Sequence, residues 1–414
     1  MAIHKHLIQS INNERGIALL VAIFAMTLAV VVATEISYET QVEYSRSVQS
    51  VNRLKAYYAA KAGVELSLYR ILLYKKAMAQ FADQLKDNKS MLDPIWSFPF
   101  AWPPTALALV SDSVAEDVQK VIKESTMDGQ YAVSIESEDG KIDINSLGSP
   151  SKPIADAVRQ QLLQIFQNEI DANKKFKEKY ENFKFNELID NIQDWVSEEQ
   201  QNTNGRATKS DLYKQPDNVR NYKMPPGTPL KTIEELHMVA GMEDEFYDLL
   251  KDRITVYGTL GINVNFAPAN VLKSLDPQIK DDVLKFIIDR RSNPKLGGPF
   301  KDENDFYSFI SSHGVRTDNM QKAKIPLIFD NEYNYRIVSV GKFANVVRTI
   351  TAITYDIAGL TDRTVKVLND ADAAKANPQG TPTPTPSTTG AAGAATTQKK
   401  IPGGRPTVVL WREE

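Results

Sequence analysis

Residues 17–34, IALLVAIFAMTLAVVVAT, hold no charged side chain, and they follow directly on the polar tripeptide Glu14, Arg15, Gly16. At 1.5 Å per residue a helix over 17–33, interrupted only by Thr27, is about 25 Å long, enough to cross a thin hydrocarbon core. The polar front before it carries Lys5 and Arg15 against Glu14, and positive flanking charge keeps such a front in the cytoplasm while the bulk of the chain crosses. An ordinary secretory signal has an apolar core of about 7 to 15 residues closed by a small-residue cleavage site. Here the core is longer and runs straight into Glu35, Ile36, Ser37, Tyr38, Glu39. Two readings remain: a plain N-terminal anchor, and a leader cut before the apolar helix begins.

The junction Arg15, Gly16, Ile17, Ala18, Leu19, Leu20 resembles the processing site of type IV pilins and pseudopilins. The resemblance implies cleavage by a prepilin peptidase on the cytoplasmic side between Gly16 and Ile17, with methylation of the new N-terminus. A glutamate is usual at the fifth mature position of that class, where this chain has Val21, and its loss is a habit of the K-type minor pseudopilin of type II secretion. A carboxylate in an apolar helix packing is costly without a partner. A subunit with no neighbour above it has no N-terminal amine to pair with, so it can do without that glutamate.

The chain has 414 residues, 42% of them hydrophobic and 24% charged, so it can bury more than one core beyond the anchor. A net charge of -3 gives no electrostatic case for a nucleic acid partner. With no cysteine, disulfides, thiol catalysis and Cys-based zinc sites are excluded. The four histidines, His4, His6, His237 and His313, are scattered.

Residues 35–74 continue the helical pattern, with apolar and aromatic residues at three- and four-residue steps and no proline before Pro94. The steps do not keep the strict heptads of a coiled coil, and AYYAAKAGVELSLYRIL resembles the head-packing half of a pilin helix. Residues 93–104, DPIWSFPFAWPP, hold too much proline for a helix interior. Buried anchors in a loop are the expectation, with a sugar or peptide surface as the alternative. Residues 129–145 alternate about Asp139 and Gly140, a hairpin signal predicting two antiparallel strands. From Pro153 the pattern turns helical: IADAVRQQLLQIFQNEI, KKFKEKYENFKF and NELIDNIQDWV are followed by a polar, turn-rich stretch at 198–229. Two helix-hairpin-helix spacings follow, one turning at Gly241 and one within 262–291. Given the charge they are packing modules rather than DNA grips. Residues 335–343 and 345–357 alternate again as a hairpin with its turn at Ala344 and Asn345. A Pro, Thr, Gly and Ala tract then separates them from PTVVLWREE, and such a tract forms no packed core. The closing strand, 408–411, is expected beside 348–355, which makes the tract an insertion between strands.

GKIDINSL, LIDNIQDWVSEE, PLKTIEELHMVAGMEDEFYDLLKDRITVYG and INVNFAPANVLKSL, in that order, are similar to the helical insertion of type II secretion K pseudopilins. The resemblance implies an α+β fold: a long N-terminal pilin helix packed on an antiparallel sheet, with a large helical, SAM-like domain inserted in that sheet. The boundaries that follow are 1–16 for the leader, 17–34 for the assembly helix, 35–150 for the pilin-like helix and first strands, and 151–325 for the insert. The sheet hairpin is 326–360, the tract 361–404 and the last strand 405–414. Phe266 departs from the usual threonine that caps the helix opened by Pro268, and Asn265 is expected to take over that cap.

No G-x-S-x-G, H-E-x-x-H, Walker A or G-x-G-x-x-G motif occurs, and no carboxylate pair stands out as an acid and base. Asp194, Glu198 and Glu199, with Asp190 one turn earlier, crowd oxygen ligands at a helix end, which suits calcium. K pseudopilins bind calcium in this domain, so the resemblance implies it. Yet Ser197 and Gln200 stand where the family's D-W-x-D-x-D pattern has acids, and a solvated charged helix end is the alternative. The expectation is a minor pseudopilin, not an enzyme, single-pass in the bacterial inner membrane with its bulk in the periplasm. It would join I-type and J-type pseudopilins at the pseudopilus tip, meeting the prepilin peptidase, the inner-membrane assembly platform and lipid. A minor tip pilin of a type IV pilus, and a membrane-anchored periplasmic binding protein or enzyme, are the alternatives.

Overall fold

The computed structural model describes residues 14–85, 91–104, 112–199, 203, 209, 226–258, 260–329, 332–356 and 405–414. Most of the expected leader, most of the polar stretch after Glu199 and all of the tract at 361–404 lie outside the described residues. With no proline to break it, helix α1 (Glu14–Leu85) runs for 72 residues, about 108 Å at the standard rise. A one-turn helix, α2 (Pro94–Ser97), and a three-residue strand, β1 (Phe100–Trp102), precede α3 (Asp112–Glu124) and β2 (Gln130–Ser137). The proline-rich segment is therefore a turn and an edge strand rather than a loop throughout. Trp96 is its buried anchor, while Phe98 stays exposed.

The sheet order is β1-β2-β7-β8-β9, with β7 (Tyr335–Phe343), β8 (Val346–Tyr355) and β9 (Thr407–Glu413), and every pairing is antiparallel. The β7–β8 hairpin turns where the alternation placed it, with Ala344 at φ +49°. The last strand lies beside β8, Trp411 opposite Ala352. Alternation decides which side chains meet α1. Tyr131, Val133 and Ile135 of β2 and Tyr335 and Ile337 of β7 pack with Ala60, Val64, Leu68, Ile71 and Tyr74 of the helix. The fit is closest at Gly341, where an added Cβ would lie 2.2 Å from the Ala56 carbonyl oxygen, and at Gly63, where it would lie 2.3 Å from Ser339 Oγ.

Between β2 and β7 the chain builds the helical insert. In order it holds β3 (Ile142–Asp143), α4 (Lys152–Ala172), α5 (Lys174–Tyr180), α6 (Phe185–Val196), α7 (Asp244–Leu250), β4 (Ile254–Thr255) and β5 (Ile262–Asn263). Then come α8 (Ala269–Leu272), α9 (Asp281–Ser292), α10 (Glu303–Ser312), α11 (Asp318–Ala323) and β6 (Leu327–Ile328). Short parallel pairs, β3 with β4 and β5 with β6, tie its segments. Before Gly241 (φ +82°) stands a 3-10 helix, Ile233–Met238, and after it α7. The insert has its own apolar core, centred on Phe166, Trp195, Phe246, Ile262 and Phe306.

Two local expectations are corrected. The Asp139–Gly140 turn makes no hairpin, because β1 and β7 already occupy both edges of β2. The chain leaves the sheet instead: Ile142 N–H donates to Arg253 O (3.0 Å) and Asn263 N–H to Asp139 O (3.0 Å). Gly140 is required there, since a Cβ would lie 2.8 Å from Ala267 Cα. Asn265 caps no helix. Its side chain is held by the Phe300 backbone, donating to the carbonyl at 2.9 Å and accepting from the N–H at 2.7 Å, and α8 starts on Pro268 without a side-chain cap.

Candidate functional site

The helix α1 divides by burial into two working parts. From Gly16 to Thr40 every residue is exposed, among them Ile17, Leu20, Val21, Phe24 and Val31. The stretch Gly16–Phe81 contains a window long and apolar enough to cross a membrane, with none of that window buried in the protein. The hydroxyls of Thr27 and Thr34 donate to the carbonyls of Phe24 and Val31, each at 2.8 Å, so neither is left unpaired in hydrocarbon. Arg15, Gly16 and Ile17 sit in the first turn of α1, and the space about Gly16 is open.

Farther along, α1 buries Ala56, Ala60, Val64, Ile71 and Tyr74 on the sheet while Tyr44, Val48, Val51, Tyr58, Tyr69 and Leu73 stay exposed. At 100° per residue those six fall together on the side away from the sheet. The helix thus presents apolar surface along both halves, all round in the first and as a stripe in the second.

The insert is fixed to the end of the sheet farthest from the apolar segment. Ala60 faces Ser339, whose hydroxyl donates to its carbonyl at 2.7 Å. Tyr74, fourteen residues on in sequence, reaches Trp96, which in turn packs on Tyr335 at the start of β7. The chain passes from sheet to insert after Ser137 and returns before Tyr335, so the insert begins level with Tyr74. Phe266 reaches out of the insert onto Trp96, ring centroids 5.5 Å apart, which accounts for an aromatic at that position.

A buried ion cluster locks this junction. Glu138, wholly buried, accepts from Arg336 Nε (2.9 Å) and Nη2 (2.8 Å), from Lys141 Nζ (3.1 Å) and from the Thr255 hydroxyl (2.7 Å). Burial alone would push its carboxyl up, but Lys141, Arg336 and Thr255 together hold it below its ordinary value. Sequence reading took this segment for a turn and missed the cluster, because its partners lie 117 and 198 residues away.

The acidic end of α6 is arranged differently from a metal cage. Asp194 is buried and its Oδ1 accepts from the Thr203 N–H (2.8 Å) and hydroxyl (2.6 Å). Asp190 is ion-paired with Arg159, and Glu198 and Glu199 point to solvent. Lys209, itself buried, donates from Nζ to the Ser197 carbonyl at 2.6 Å. Among the described residues no group of three or more His, Asp or Glu side chains converges as metal ligands. The acids present do not fit calcium, since a cationic side chain already stands among them. Neither Thr203 nor Lys209 carries a signal in the sequence; both lie in the polar stretch after α6.

Residues 140–259 and 262–326 match two family models, both described as type II secretion system (T2SS) protein K. No curated protein matches the chain. The fold is similar to a chain of the solved GspK–GspI–GspJ complex from the enterotoxigenic Escherichia coli type 2 secretion system. That likeness has a TM-score of 0.51 at 16% identity and covers 76% of this chain and 94% of that one. With consecutive family matches spanning the insert, and a long helix on an antiparallel sheet around it, the chain belongs to the type II secretion system protein K family, the K-type minor pseudopilins.

Proposed function

We propose that this minor pseudopilin ends the tip of the periplasmic pseudopilus, together with I-type and J-type partners like those in the GspK–GspI–GspJ complex. The observation that carries the reading is the position of the insert, level with Tyr74 and beyond the end of the sheet away from the membrane segment. A domain of that bulk obstructs the place where a further subunit's helix would dock. The absence of a glutamate at Val21 agrees, since a terminal subunit has no neighbouring amine to neutralise.

In this reading the prepilin peptidase cuts between Gly16 and Ile17, and the new N-terminus is methylated. The helix then leaves lipid for the assembly platform. Its exposed apolar segment packs against partner helices in the inner membrane and above it, and the stripe from Tyr44 to Leu73 continues that packing into the periplasm. The protein's work is assembly, with no chemical step of its own.

The test labels the full-length protein in cells overproducing pseudopili. Label at one end of each filament, co-purification with I-type and J-type pseudopilins, and a mature mass starting at Ile17 are expected. Label along the filament length, or a mature chain still starting at Met1, would refute the reading.

A further inference from the structure

Calcium is the cation implied at the end of α6, yet the cation found there is a side chain. Lys209 is 7% exposed, and its ammonium is hydrogen-bonded to the carbonyl of Ser197, the residue that ends α6. A helix C-terminus carries partial negative charge that favours any cation. Burial makes an ammonium costly and pushes the Lys209 pKa below its ordinary value, with the charges of Asp194 and Glu199 offsetting part of that cost. Among the described residues, Asp194 Oδ1 already accepts two hydrogen bonds from Thr203, and Asp190 is ion-paired with Arg159. A divalent ion would have to share this place with a fixed positive charge, and the two would repel.

We propose that the Lys209 ammonium takes the place of a metal cation at the end of α6, so that this protein holds Lys209 to the helix end through the Ser197 carbonyl and needs no calcium there. The tie goes beyond the tip role and stands or falls apart from it.

The test uses the full-length protein in detergent. Its thermal midpoint should stay unchanged on adding EGTA or millimolar calcium, and equilibrium dialysis should retain no radioactive calcium. Lys209→Met should lower the midpoint by about 2–4 °C or more, and Lys209→Arg should keep most of it. In a double-mutant cycle Asp194→Asn should cost less once Lys209→Met is present, because the nearby positive charge has gone. Calcium retained near one ion per chain, a midpoint several degrees lower in EGTA, or additive effects of the two substitutions would overturn the proposal. If Lys209→Met does not fold, the calcium measurements on the unaltered protein and the arginine variant still decide it.

Discussion

Replacing Gly341 by alanine puts a Cβ 2.2 Å from the Ala56 carbonyl oxygen, 2.3 Å from the Ala60 nitrogen and 2.9 Å from Ala60 Cα. All three obstructing atoms belong to the backbone of α1, so no rotamer change relieves them. The helix must lift from β7 by about 1 Å to restore normal contact, which loosens Ala60, Val64 and their neighbours on the sheet. Overpacking of this kind costs about 1–3 kcal/mol, and a rigid backbone obstruction belongs at the upper end. Alanine in a strand recovers about 0.5–1 kcal/mol over glycine, leaving a net loss of about 2 kcal/mol. Urea unfolding of the full-length protein in detergent, followed by circular dichroism, measures it. Gly63→Ala provides the contrast, because there the nearest atoms are side chains, Ser339 Oγ at 2.3 Å and Val133 Cγ2 at 2.5 Å. Helix propensity favours that substitution by about 1 kcal/mol, so Ser339→Ala should recover part of its loss. No truncation of an α1 side chain should rescue Gly341→Ala. A loss below about 0.5 kcal/mol for Gly341→Ala would show that helix and sheet are not in backbone contact.

Glu138→Gln should destabilise the protein by about 3–5 kcal/mol at neutral pH, since it leaves Arg336 and Lys141 buried without their counter-charge; unfolding within 1 kcal/mol of the unaltered protein would refute this. The pH profile follows from linkage. The Glu138 carboxyl lies below its ordinary 4.5 when folded, so its stabilisation is present above that pH and is lost as pH falls through the folded value. Burial raises Asp93 and Asp143 to about 6, so they bind protons more readily when folded and add stability as pH falls through that value. Stability should therefore peak on the acid side of neutrality, and Asp143→Asn should flatten the rise between pH 7 and 5. Phe266→Thr removes the ring packed on Trp96 and should cost about 2 kcal/mol, with faster protease cleavage between sheet and insert; unchanged cleavage would argue that the ring contact does not hold the junction.

Much of the fold was legible because its signals are periodic and local. The uncharged run at 17–34, the lack of proline before Pro94 and the alternation in β7 and β8 each depend on residues close in sequence, and the long helix and hairpin follow from them. The helical order of the insert was legible in the same way. The failures share one cause. Asp139 and Gly140 carry the composition of a hairpin turn, but a hairpin needs a free strand edge, and β2 has both edges occupied by β1 and β7. Asn265 has the chemistry of a cap, but Phe300 offers it two backbone hydrogen bonds at once. Asp194, Glu198 and Glu199 are close in the chain, yet burial separates Asp194 from two solvent-facing glutamates.

By itself the sequence determined a long apolar helix, a chain without thiol chemistry, and helical segments lying between strand segments. Those properties rest on hydrophobic period and residue type, which need no distant partner, while the junction at Gly16 and Ile17 and the inserted domain were implied by resemblance to pilins and K pseudopilins. Only the tertiary structure decided that the insert stands at the sheet end level with Tyr74, that Glu138 is held by Arg336 and Lys141, and that Lys209 donates to the carbonyl that ends α6. Charge and hydrogen-bond partnerships are chosen by proximity in space, and folding brings together groups that the sequence keeps far apart.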